Sequence, residues 1–355
     1  GKDVVVGIID GGFQYNHINF YDTAGENLRV KRVWNQNATG TPPSGYYYGR
    51  EYTTSESIVS AKQDMADCHA THVAGIAAGA YHGNNYYGVA PDADLVFVSY
   101  NLYDNSSSNT SISDGIKYIY DYAESVGKPC VINMSLGYHI GPHDGTSLFD
   151  QAIDALVDKG HILVGSIGND AKNKAHASMT LTDGSTPVRT YFKPTGYESN
   201  TFEVWGQTDG FAVTLSLTDS QGAAVWSCTA DGADQSFAVP DDYNYSEGGE
   251  IACYTELWNG SRRMYRIALN NLNLKGYNIE VSVEGQPQHI DLWTDKNSGQ
   301  FTDNGKSSHV SYDTEYTLGE LGGTGRRTIS VGNYTTRNVW TNYSGNKQSM
   351  LIDYP

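Results

Sequence analysis

The chain carries two patterns of apolar positions in succession. Over roughly the first 170 residues, continuous apolar runs alternate with helically spaced ones. Residues 4–9 (V-V-V-G-I-I), 95–98 (L-V-F-V), 130–134 (C-V-I-N-M) and 162–164 (I-L-V) have the length and β-branched content of strands buried on both faces. Between them, residues 71–80 (T-H-V-A-G-I-A-A-G-A) are small and helix-compatible. From Ser113, a predicted N-cap, Ile116, Ile119, Tyr120 and Ala123 recur at helical spacing until Gly127 and Pro129 stop the pattern. Leu148, Ala152, Ile153, Leu156 and Val157 predict a further helix, ending at Gly160, with Ser147 as its N-cap. Strand and helix in alternation predict an α/β fold built on a doubly wound parallel sheet.

Near Ser178 the period changes to two. Phe211, Val213, Leu215 and Leu217 alternate with polar or small residues, as do Ile279, Val281 and Val283. Turn pairs such as Asp183-Gly184, Asp209-Gly210, Asn259-Gly260 and Lys275-Gly276 separate these runs, and no amphipathic helix intervenes. This predicts an inserted antiparallel β-sandwich. A buried-strand pattern returns at residues 328–331 (T-I-S-V). The predicted division is 1–177, an α/β domain; 178–305, an inserted β-sandwich; and 306–355, a return to the α/β domain.

Composition narrows the function classes. The 355 residues suggest about two domains, with enough apolar content (39%) for a sizeable core. No apolar run reaches the roughly 18 residues that span a bilayer. A net charge of −17 disfavours nucleic acid as a main ligand, because phosphate neutralisation needs clustered Lys and Arg. Cys68, Cys130, Cys228 and Cys253 show no C-x-x-C spacing; Cys228 and Cys253 are either a pair or two buried thiols. A dinucleotide or P-loop site needs a glycine-rich turn after the first strand, and Asp10-Gly11-Gly12-Phe13 fits neither fingerprint.

Three short segments carry candidate chemistry. Asp10 follows the first strand in I-I-D-G-G, His69 sits in C-H-A-T-H-V-A-G, and Asn169 follows the fourth strand in V-G-S-I-G-N-D. Functional groups of open parallel sheets collect beyond the carboxyl ends of strands, where Asp10 and Asn169 fall. An Asp can orient a His and stabilise its imidazolium, the His can deprotonate a nucleophile, and an Asn amide can donate to an oxyanion. Taken singly, each segment reads equally as a turn, a cap or a structural histidine.

In order and with their flanking words, these segments resemble the subtilisin-like serine proteases, or subtilases. I-I-D-G-G is similar to that family's aspartate motif, with Gly11 in place of the usual Ser or Thr. H-A-T-H-V-A-G is similar to its histidine motif, with Ala70 in place of Gly. Gly88-Val89-Ala90-Pro91, Val131-Ile132-Asn133-Met134-Ser135-Leu136-Gly137 and Gly168-Asn169-Asp170 also match. The resemblance covers residues 1–175 and 318–340, and it implies a serine endopeptidase in which Asp10, His69 and Asn169 are catalytic and His72 is structural. It implies that Ser135, Leu136 and Gly137 bind a polypeptide substrate by strand addition. The β-rich insertion resembles the jelly roll of clostridial Csp-type and Bacteroidetes subtilases, as a brace or access restriction. Trp205, Trp226, Trp258 and Trp293 are expected in its core and hairpins.

The family's nucleophile, in G-T-S-M-A, is not found. Gly145-Thr146-Ser147 precedes the oxyanion segment and continues into Leu148 and Phe149, and Ser344 lies too early and lacks the motif. The chain is therefore expected to be inactive alone, its serine supplied by a C-terminal segment or a second chain; an inactive pseudoprotease that binds peptides is the alternative. The resemblance also implies an exported protein, extracellular or in the periplasm or cell envelope, with a propeptide as a possible partner. The stretch 81–87, where relatives bind calcium, has no carboxylate, so no metal and no cofactor are expected. Asp64 and Asp67 are expected as solvated loop charges and Cys68 as a small buried side chain.

Overall fold

The computed structural model describes every residue except 66, 84–85, 101–108, 196–198, 246–247, 296, 336–337, 343 and 350–355. The first strand, β1 (Val5–Asp10), is buried along its whole length at the centre of a seven-stranded sheet. With β2 (Val30–Asn35), β3 (Arg50–Tyr52), β4 (Asp94–Ser99), β5 (Cys130–Met134) and β6 (His161–Ser166), the spatial order is Ile329–Val331, β6, β5, β1, β4, β2, β3. All neighbours are parallel except β3, which pairs antiparallel with β2 at the edge. The sheet is apolar on both faces because helices cover both. On one face α3 (Asn109–Ser125) sets Ile112, Ile116, Ile119 and Ala123 against Val5, Ile9, Ile132 and Met134. On the other, α2 (His69–Ala78) sets Ala70, Ala74 and Ala78 against Ile8, Leu95 and Phe97.

Three local features differ from the sequence expectation. Ser113 is not an N-cap: α3 begins at Asn109, because Ile112 extends the apolar spacing back one turn, and the Ser113 hydroxyl donates to Thr110 O within the helix. Strand Ile329–Val331 forms, yet Ile329 and Val331 are about half exposed, because it is the outermost strand of the sheet. The helix α1 (Ser55–Ala61), capped by Thr54, and the strands β2 and β3 were not foreseen. Ser147 does cap α4 (Leu148–Leu156), accepting from Asp150 N at 3.0 Å.

Between His176 and Thr302 the chain forms two antiparallel sheets of five and six strands. Phe192, Val213, Leu215, Ile279 and Val281 of one face Phe202, Ile267, Ile290 and Leu292 of the other across a single core. Cys228 and Cys253 are free thiols in this core, each pushed up to about 12 by burial. Where the chain enters and leaves these sheets, the buried His176 ring meets Asp313 through Nδ1 at 2.7 Å and Asp291 through Nε2 at 3.2 Å.

The β-rich region also clasps residues 139–146, just past β5. Gly141 N donates to the buried Glu203 carboxylate (2.9 Å), His139 N to Asp295 (2.8 Å), Arg262 to Asp144 (2.5 Å) and Trp258 Nε1 to Thr146 Oγ1 (2.7 Å). The His143 ring stacks on Trp293 with centroids 4.2 Å apart. Among the described residues, no helix is long and apolar enough to cross a membrane.

Candidate active site

Asp10 is the last residue of β1, where the strand gives way to a glycine turn. Its carboxyl is fully buried. Oδ1 accepts from Gly11 N and pairs with His69 Nδ1, both at 2.7 Å, while Oδ2 is buried with no partner among the described residues. Burial drives its pKa up to about 6, against the opposing pull of the His69 hydrogen bond and charge. His69 opens α2 with its ring nearly half exposed, and its Nε2 meets no partner among the described residues. A His held through Nδ1 by a carboxylate and open at Nε2 is arranged for proton transfer at Nε2.

Asp64 and Thr71, to which the sequence assigns no part in the site, hold the turn that carries this dyad. Asp64 is not a solvated charge: its carboxylate accepts from Phe13 N (2.7 Å), Gly12 N (3.2 Å) and Met65 N (2.7 Å), since the turn after β1 has donors that no strand satisfies. Thr71 Oγ1 donates to Gly12 O and accepts from Gln14 N, lacing α2 to the same turn. Gly12 itself is required, with φ +90° and a Cβ position within 3.0 Å of the backbone of Asp67, Cys68 and His69. Asp67 accepts from Cys68 N and His69 N at the start of α2. Cys68 is exposed, not buried, because it stands at the N-cap, outside the helix face that packs on the sheet. His72, one turn on from His69, is also exposed.

The other candidates lie at the same edge. β6, β5 and β1 are consecutive neighbours, so Asn169 and Ser135-Leu136-Gly137 follow two adjacent strand ends and Asp10 closes the third, about 5 Å from one strand to the next. Leu136 is buried, whereas Gly137 is exposed with no atom within 4 Å of its Cβ position, an open ledge. Asn169 is exposed and its amide makes no hydrogen bond among the described residues. No described serine hydroxyl meets His69. Ser147 donates to Asp150 (2.8 Å), Ser99 is buried against Tyr15 OH (2.7 Å), and Ser344 is exposed between the strands Val339–Thr341 and Lys347–Ser349.

A largely parallel sheet with an Asp–His pair at its carboxyl edge is an α/β arrangement suited to proton transfer. The chain belongs to the subtilase family, whose model matches residues 1–315. Similar proteins include a subtilisin of Bacillus sp. (strain TA39), 38% identical over 102 residues, 28% of this chain and 23% of that protein. Subtilisin-like protease 3 of Pseudogymnoascus destructans is 30% identical over 138 residues, 38% of this chain and 32% of that protein. The matched stretch thus spans about a quarter to a third of these relatives. The solved structure of the Clostridium perfringens CspB protease superposes with a TM-score of 0.67 at 17% identity, covering 98% of this chain and 78% of that one, and shares its fold.

Asp10 gives a measurable pH signature. A carboxyl whose pKa is raised from 3.8 to about 6 binds its proton more tightly folded than unfolded, so it lowers stability progressively as pH rises from about 4 through 6. The full cost above pH 6 is about 3 kcal/mol. Asp10→Asn is therefore expected to raise the thermal midpoint at pH 7.5 and leave it nearly unchanged at pH 4. Equal midpoints at both pH values would show that the buried carboxyl carries no such penalty.

Proposed function

We propose that this chain is the portion of a serine endopeptidase that carries Asp10, His69 and Asn169 but not the serine. Asp10 orients His69 and stabilises its imidazolium, and His69 takes the proton from a serine hydroxyl and later gives it to the leaving amine. Asn169 donates to the tetrahedral oxyanion, and the Ser135-Leu136-Gly137 ledge pairs with the substrate backbone. The observation that carries this reading is the 2.7 Å contact between His69 Nδ1 and a wholly buried carboxyl, with Nε2 left open. The serine is supplied from outside residues 1–355, by a following segment or a companion chain, and without it the residual rate comes from the oxyanion donor and binding. The division into residues 1–177, 178–305 and 306–355 belongs to this reading, with the jelly-roll-like middle unit as a brace, and so does export from the cytoplasm.

A peptide-binding pseudoprotease is the second reading, favoured by the lack of any described serine hydroxyl at His69. Fluorophosphonate labelling, followed by intact mass and peptide mapping, separates the two. Label on a serine-bearing companion or extension, lost in His69→Ala, is the expected result. Absence of label in a serine-bearing preparation overturns the protease reading, and label on Ser147 or Ser344 would place the nucleophile elsewhere.

A further inference from the structure

Two loops that leave adjacent strands must keep a fixed spacing if one is to hold a peptide backbone and the other an oxyanion. Past β5 runs the 135–137 ledge and past β6 the 168–170 turn. Near the sheet they are joined by Ser166 Oγ donating to Leu136 O at 3.2 Å. One step further out, backbone returning from the β-rich region lies between them: Glu320 N donates to Tyr138 O (2.8 Å) and Gly319 N to Ile167 O (3.0 Å). Beyond that, His139 Nε2 meets Asp170 Oδ2 at 2.8 Å, and the His139 side chain is 2% exposed. His139 is two residues past Gly137, and Asp170 adjoins Asn169. The pair lies under the turn, for a Cβ on Gly168 would stand 3.9 Å from both partner atoms.

We propose that His139 and Asp170 form a positioning pair that sets the distance between the substrate ledge and Asn169. The inserted β region holds this pair in place through Asp295 and Trp293.

The chemistry of the pair suits a fixed strut. Among the described residues His139 Nδ1 is buried without a partner, so the tautomer that fits carries its proton on Nε2 and donates it to the carboxylate. Asp170 Oδ1 also accepts from Asn173 Nδ2, within its own turn, so an apolar ring at 139 removes the tie from Asp170 to the 135–139 segment while leaving that local one in place. From the insert, Asp295 fixes the backbone of His139 at 2.8 Å. His143, four residues on, adds a second tie: its Nε2 meets His139 O at 3.0 Å while its ring lies on Trp293. Neither His139 nor Asp170 is predicted to touch substrate. The inference rests on the protease reading only for the meaning of the ledge and of Asn169.

The test compares His139→Phe, His139→Gln and the remote core variant Ile267→Val in the full 355-residue chain, by amide hydrogen exchange and the side-chain amide signal of Asn169. In His139→Phe the Gly319 and Glu320 amides are expected to exchange about tenfold faster, with a shifted Asn169 signal, while β1 amides stay as in the parent. His139→Gln, which restores a donor, is expected to recover both readouts, and Ile267→Val to leave them unmoved. If His139→Phe does not fold, Asp170→Ala reads the same strut from its other end. In a serine-bearing form, kcat is expected to fall about tenfold with KM within about twofold. Unchanged Gly319, Glu320 and Asn169 signals in His139→Phe, or exchange quickened equally in β1, would overturn the proposal. Because these readouts are geometric, they stand apart from the labelling experiment that tests the protease reading.

Discussion

Replacing His69 with alanine in a serine-bearing form of this protein is expected to lower kcat about a million-fold, the scale established for subtilisin itself, a member of the same family. The reason lies in the arrangement at Nδ1 and Nε2. The imidazole alone carries Asp10's hold out to an open nitrogen, since Asp10 itself is fully buried and bonded to Gly11 N and His69. Because the ring is nearly half exposed and packs on little, the same substitution is expected to change the unfolding midpoint only slightly. Turnover of a chromogenic peptide, with the midpoint measured on the same sample, checks both. A residual rate within a hundredfold of the parent, in folded protein, would remove His69 from the role of base.

Gly165→Val is expected to cost stability on the order of 3 kcal/mol or more, read as a shift in the urea midpoint. Here β6 meets the short helix α5 (Glu320–Gly323) backbone to backbone. A Cβ on Gly165 would stand 2.4 Å from Gly322 Cα, and a Cβ on Gly322 would stand 2.4 Å from Ser166 O. Neither neighbour is a side chain that can swing away, so the strand or the helix must move. Gly319 and Glu320, which bridge the segments that follow β5 and β6, move with α5. A cost below about 1 kcal/mol would mean that α5 slides freely on the sheet.

Which parts were legible in the sequence follows from how far each depends on remote contacts. β1, β4, β5 and β6 announce themselves because a strand covered on both faces is apolar throughout. β2 hides because it carries Lys31 and Arg32 in mid-strand; the structure places Lys31 3.6 Å from Asp94 and Arg32 over the Tyr122 ring, near the sheet's edge. In the β-rich region the alternation was plain, but the strand order was not, since Ser199–Gly206 lies between Arg262–Asn270 and Gln288–Thr294. Asp10, His69 and Asn169 stood out through strand ends and flanking words. Asp64 and the His139–Asp170 pair did not, because their roles exist only once separate loops meet. The cue for Asp64 was a carboxylate, with Asp67, shortly before the histidine helix, and that pattern is common in solvated loops.

The His176 clasp bears on how the chain reaches this fold. The strand Ile329–Val331 pairs with β6, which ends at Ser166, although the whole β-rich region separates them in sequence. Closing so long a loop in one step is slow, because its entropy is lost before the strand contacts repay it. With His176 bonded to both Asp291 and Asp313, the two ends of the β-rich region are drawn together once its own sheets have formed. What remains to close is then a short path from Asp313 to Ile329. The order of events that this favours is inner sheets first and the outer parallel strand last, so a pause in folding would leave β6 as an open edge.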